Sequence, residues 1–151
     1  MPSPIRRWIA SVALCSLPVA SCGDVIGPPS SGTYVLREVN GEELPVAWNP
    51  GDSNTFTLLS DTLVLSTDQR FHRVRVTQHT DLTTGIALEA VEAWEGSVLR
   101  REGSWILLSD ICGSDSLALC VPPTTVRTRG STLAVRTQIP PKGTLLFSPV
   151  G

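Results

Sequence analysis

The chain has 151 residues, with 12 Lys and Arg against 14 Asp and Glu and a formal net charge of −2. That length suits one domain with a single modest core. The mildly acidic balance argues against nucleic acid as a partner and supplies no basic patch large enough to favour anionic lipid.

Residues 1–7 carry Arg6 and Arg7 and no acid, and an apolar stretch of 13 residues follows over 8–20. This is the order of an export signal. A membrane-spanning helix needs roughly 20 apolar residues, so the stretch is too short to remain as a span. At its end stands Val19-Ala20-Ser21-Cys22, which resembles the lipobox of bacterial lipoproteins. The resemblance implies cleavage before Cys22, lipid on that cysteine, and a place in the cell envelope, on the outer membrane facing the periplasm where there are two membranes. Each buried acyl methylene contributes about 0.8 kcal/mol, so two or three chains anchor far more firmly than one. Cleavage removes Arg6 and Arg7 and no acid, leaving ten basic residues against 14 acidic.

Residues 1–21 are thus read as the signal, 22–32, rich in Pro, Gly and Ser, as a lipidated tether, and 33–151 as one β-barrel domain. Within the domain, short runs rich in Val, Leu, Ile and Thr are broken every 8 to 12 residues by turn residues. That is the pattern of an antiparallel all-β sandwich or barrel. Predicted strands cover 33–39, 54–59, 62–66, 70–78, 86–95, 97–101, 104–109, 116–121, 124–128, 132–139 and 144–148. A tight turn at Glu102-Gly103 sets Leu99 opposite Ile106 and Val98 opposite Leu107; one at Arg129-Gly130 sets Val126 opposite Leu133 and Thr124 opposite Val135. Arg127, Thr125, Thr132 and Ala134 then share the wetter face. Residues 84–96 fit either element, because Leu88, Val91, Trp94 and Val98 also follow a helical stripe. A strand is preferred there, since 70–78 needs a partner, and a turn near Leu82-Thr83 would set Arg73 opposite Glu92.

Cys15 leaves with the signal and Cys22 takes the lipid, so Cys112 and Cys120 remain as a pair in an oxidising compartment. A disulfide between them would close a turn-rich loop and contribute about 2.5 kcal/mol in the chain-entropy model. His72 and His79 lie on opposite faces of one strand, roughly 23 Å apart, and form no common centre. Glu42-Glu43 and the series Glu89, Glu92 and Glu95 read as solvated surface before acid–base pairs or calcium ligands, and the loop Asp110 to Asp115 lacks the spacing of a calcium loop. Trp48, Trp94 and Trp105 read as core or rim. With no paired nucleophile and base and no metal-ligand set, the residues argue against an enzyme and imply no cofactor and no catalytic residue.

Gly32-Thr33-Tyr34-Val35-Leu36, followed by Val39-Asn40-Gly41 and Leu44-Pro45, resembles the opening of small bacterial lipocalin-like lipoproteins, with Tyr34 in place of the tryptophan of their Gly-x-Trp signature. The runs 63–71 and 95–108 resemble later hairpins of the same proteins; a META-like domain, whose first strand also carries an aromatic and an Asn-Gly, is the related alternative. The resemblance implies an antiparallel up-and-down β-barrel of about eight or more strands. Two functions follow from it: a membrane-anchored envelope module binding a small hydrophobic molecule, or a structural or protein-interaction lipoprotein with a filled barrel. Residues placed inside the barrel are Leu36, Leu63, Leu65, Val74, Val76, Leu99, Ile106, Leu108, Val126, Leu133, Val135 and Phe147. So aliphatic a lining predicts a modest apolar pocket.

Overall fold

A computed structural model describes residues 28–110 and 122–151. Ten strands are formed: β1 Gly32–Val39, β2 Glu42–Glu43, β3 Val46–Gly51, β4 Asn54–Leu65, β5 Arg70–Asp81, β6 Ala87–Arg101, β7 Ser104–Ser109, β8 Thr124–Arg129, β9 Thr132–Thr137 and β10 Gly143–Pro149. They make one antiparallel sheet in the order β2-β1-β10-β9-β8-β7-β6-β5-β4-β3. The sheet closes where β1 also pairs with β4, Gly32 opposite Leu65 and Tyr34 opposite Leu63. The result is an up-and-down barrel of eight strands, with β2 and β3 added outside the ring. Every described strand lies after Ser31, so a chain starting at Gly23 retains the whole barrel.

Closure gives the barrel two distinct ends. At the tether end lie Pro28–Ser31, the turn after β4, the Glu102-Gly103 turn and the Gly130-Ser131 turn. At the far end lie Asn40-Gly41, the β5–β6 turn, the end of β7, the start of β8 and residues 138–142. Here β4, β5 and the first half of β6 extend past the ring as a ribbon. Over Ala87–Glu95, β6 has only β5 as a partner among the described residues, since pairing with β7 begins at Gly96. Leu88 and Val91 on that run are 63% and 69% exposed.

The core is the inner face of the ring, where Leu58, Leu63, Leu133, Val135, Leu145 and Phe147 are fully buried. Phe71 faces Gly96 on the neighbouring strand, and a Cβ there would overlap both the Phe71 ring and the Leu108 carbonyl. Gly96 therefore lets β6 run unbroken where two strands were expected, because its missing side chain is space that an aromatic neighbour fills. At the far end Asn40 fastens β1 to β10. Its Nδ2 donates to the Lys142 carbonyl at 2.9 Å, and its Oδ1 accepts from the Thr144 amide at 2.9 Å. Asn40 has φ 55, a conformation that a short polar side chain tolerates better than most.

Several local expectations need correction. The break expected at residues 60–61 is a β-bulge between Leu58 and Ser60 inside one long β4. One extra residue there brings Leu58 and Asp61 to the same face despite their odd separation. Strands β2 and β3 were not foreseen, because Pro45 and Pro50 break their pattern and they lie on the outside of the ring. Residues 87–95 are strand, the element preferred from the sequence. The β6–β7 register is as expected, Leu99 opposite Ile106 and Val98 opposite Leu107. In the β8–β9 hairpin, however, Val126 faces Val135 and Thr128 faces Leu133. Gly130 takes φ 60 at the first loop position, which moves the turn one residue on and the pairing two. Ala134 is buried, not wet. The β5–β6 turn is longer than two residues, so Arg73 faces Trp94 and Glu92 faces Arg75. The expected strand over 116–121 lies outside the described residues.

Candidate functional site

The inward face of β5 carries Phe71, Arg73 and Arg75, while Val74 and Val76 point outward. Side chains alternate along a strand, so this choice is all or none. The pairing of β4, β5 and β6 builds inner rows across the sheet: Leu65 to Phe71 to Gly96, Leu63 to Arg73 to Trp94, and Asp61 to Arg75 to Glu92. The bulge in β4 is what turns Asp61 inward to meet both arginines.

Asp61 is 1% exposed, Arg75 2% and Arg73 7%. Arg73 grips the carboxylate with both arms of its fork, Nε to Oδ1 at 2.8 Å and Nη2 to Oδ2 at 2.6 Å. Arg75 donates from Nε to Asp61 Oδ2 at 3.0 Å and from Nη1 to the Pro140 carbonyl at 3.1 Å. Trp94 lies 5.7 Å from the Arg73 guanidinium and 5.3 Å from that of Arg75, and the Phe147 ring lies 5.5 Å from Arg73. Charge-assisted bidentate bonds and aromatic faces together replace the water these groups lose. Burial, and then the neighbouring Arg73 charge, lower the pKa of Arg75, with Asp61 opposing both. Such a triad adds little net stability over well-packed apolar residues, but losing one member leaves a charge stranded.

Beside this triad the interior holds a cavity of about 20 Å³, lined among others by Phe71, Arg73, Arg75, Trp94 and Ile139. That volume suits about one water molecule, whereas sites for drug-sized ligands measure roughly 300 Å³ or more. The expected aliphatic lining is corrected at five positions. Val74, Val76, Leu99, Ile106 and Leu108 are partly or fully exposed, and Leu99 reaches 41%. Their places inside are taken by Arg73, Arg75, Val98 and Leu107, with Phe71 and Tyr34 adding aromatic bulk beside Phe147. Alternation alone misled here, because in β5, β6 and β7 apolar residues occupy both faces.

Two open clefts lie outside the lumen. At the far end a groove of about 440 Å³ runs between β3 and the 140–142 segment, lined by Val46, Trp48, Pro50, Pro140 and Pro141 among others. Trp48 stacks on Phe56 at 5.7 Å, and Phe56 stacks on His79 at 4.7 Å, which also bonds Asn54 Oδ1 at 3.0 Å. At the tether end a cleft of about 360 Å³ lies between Pro28–Ser31 and Trp105, whose indole Nε1 is buried without a partner among the described residues.

The histidines fall on opposite faces of β5 as expected, His79 on the aromatic ladder and His72 outside, 3.2 Å from Glu95. Glu42-Glu43 forms β2, and Glu89, Glu92 and Glu95 lie exposed along β6. Among the described residues no three His, Cys, Asp or Glu side chains gather as a metal site would need. Cys22, Cys112 and Cys120 lie outside the described residues. The sequence reading missed Asp61, Arg73 and Arg75, although one signal was present: Asp61 is the only charge between Asn54 and Thr67. Comparison with protein-family models, with curated proteins and with solved structures found no match.

Proposed function

We propose that this chain is an envelope lipoprotein, held on a membrane by lipid on Cys22, whose filled barrel serves as a structural or protein-interaction module. The observation that carries the second half is the interior, where Asp61, Arg73 and Arg75 with Phe71, Trp94 and Phe147 leave about 20 Å³ beside the triad. Admitting an acyl chain would break charge-assisted bonds as well as displace side chains, which an apolar ligand cannot repay. The basic start, short apolar stretch and Val19-Ala20-Ser21-Cys22 support the anchor.

A fluorescent fatty-acid analogue titrated into folded 23–151 is expected to give no saturable change at micromolar concentration. Saturable binding would overturn the filled-barrel reading. The groove beside Trp48 favours a second reading, a small hydrophobic molecule bound outside the lumen. Loss of such binding on Trp48→Ala would locate it there. For the anchor, metabolic labelling with a fatty acid is expected to mark the wild type and not Cys22→Ser; a labelled variant would refute it.

A further inference from the structure

Net charge hides how charge is distributed along this barrel. The far end gathers Glu42, Glu43, Asp52, Asp81, Glu89 and Glu92, with Arg37, Arg136 and Lys142 as basic neighbours. The tether end carries four arginines from two adjacent hairpins: Arg100 and Arg101 beside the Glu102-Gly103 turn, Arg127 and Arg129 beside the Gly130-Ser131 turn. All four are exposed, and none forms an ion pair among the described residues. Among the described residues the acids near them are Asp68 and Glu102.

Register groups Arg101, Arg127 and Arg129 on one face, with Arg100 on the opposite face of β6 at the same rim. Arg101 pairs with Ser104, and Trp105 pairs with Val126, so one step along the same row Arg127 stands on the other side of Ser104. Two strand spacings of about 4.8 Å separate Arg101 from Arg127. Arg129 follows two residues on and shares the face of Arg127.

Chain length then decides which way this end points. Six residues lead from Cys22 to Pro28, and whatever path they take, they span at most about 21 Å. Pro28–Ser31 line one cleft with Trp105 at the tether end, where the Tyr34 hydroxyl donates to the Ser30 carbonyl at 2.9 Å. The far end of β6 stands up to about 45 Å away along a 15-residue strand. Screening falls off over about 8 to 10 Å, so the acidic far end contributes little at the bilayer.

We propose that the tether end docks on anionic phospholipid headgroups through Arg100, Arg101, Arg127 and Arg129. The orientation rests on the lipid anchor proposed above; the basic face does not. The barrel thereby sits upright, with its acidic ribbon directed away from the bilayer.

The test is co-sedimentation of 23–151 with phosphatidylcholine vesicles, with and without phosphatidylglycerol. Binding only in the presence of phosphatidylglycerol, and lost at high salt, is the expected result. Each arginine strengthens such binding about fivefold, so Arg100→Glu with Arg127→Glu should weaken it by 25-fold or more. Arg136→Glu with Lys142→Glu, the same charge change toward the far end, should weaken it far less. Folding of each variant is checked by circular dichroism, and the salt dependence of the wild type stands if a variant fails to fold. Equal binding to both vesicles, none to either, or equal losses in the two double variants would overturn the docking face. Vesicle preference without fatty-acid labelling at Cys22 would remove the anchor and leave the face; labelling without preference would do the reverse.

Discussion

Asp61 carries the largest single-residue risk in this molecule. Its carboxylate answers two guanidiniums, each almost fully buried, while Glu92, opposite Arg75 on β6, is exposed and forms no ion pair with either among the described residues. Asp61→Asn preserves shape and removes the charge, and breaking a buried pair in this way costs about 3 to 5 kcal/mol. Urea unfolding followed by circular dichroism should show the midpoint falling accordingly; an unchanged midpoint would mean that the arginines find compensation elsewhere. This centre was hidden in the sequence for a physical reason. Face assignment from alternation ranks residues by transfer energy, and Val74 and Val76 outrank Arg73 and Arg75 on that scale. What reverses the ranking is a partner 12 and 14 positions away, delivered by a bulge that alternation cannot see.

At the level of elements, parity proved more legible than register. The β8–β9 pairing differs from expectation by two residues, yet Val126, Leu133 and Val135 remain inside, because a shift of two preserves every face. In β5 and β6 the sequence offered apolar residues on both faces, and parity itself was ambiguous. The β5–β6 turn has a support of its own: Asp81 Oδ1 accepts from the Thr83 amide at 2.7 Å and the Thr84 amide at 3.1 Å. These bonds, Thr84 first, hold the Asp81 carboxyl below its ordinary pKa. Because the folded value is the lower one, the stabilisation is present above the ordinary carboxylate value of about 4 and is lost as pH falls through the folded value. Amide resonances of Thr83 and Thr84 should therefore move together in acid while those of the barrel core stay in place. Movement of these two amides near neutral pH instead would exclude Asp81 as the cause.

For the whole molecule, turn spacing and strand-like runs leave a sandwich or a barrel open, the resemblance of residues 32–45 points to the barrel, and closure itself depends on pairs far apart in sequence, β1 with β4 and with β10. The connection carrying Cys112 and Cys120 joins β7 to β8, which pair directly at Leu107 and Thr124. A disulfide between them would cross-link the segment of chain that connects these two neighbouring strands. Counting thiols on the unreduced mature protein should find neither cysteine free; two reactive thiols would remove the bond.

The projecting run of β6 has a kinetic consequence. In an antiparallel pair, alternate amides point toward the partner and the rest point away. Over Ala87–Glu95 the outward amides have no strand to meet among the described residues, and over Ala87–Ala93 both faces are open to water. Deuterium should enter those alternate positions first and their β5-bonded neighbours next, as the ribbon opens locally. Amides of β9 and β10, enclosed in the ring, should wait for global unfolding. One continuous sheet would thus keep two clocks, with the change falling at Gly96, where the ribbon joins the ring.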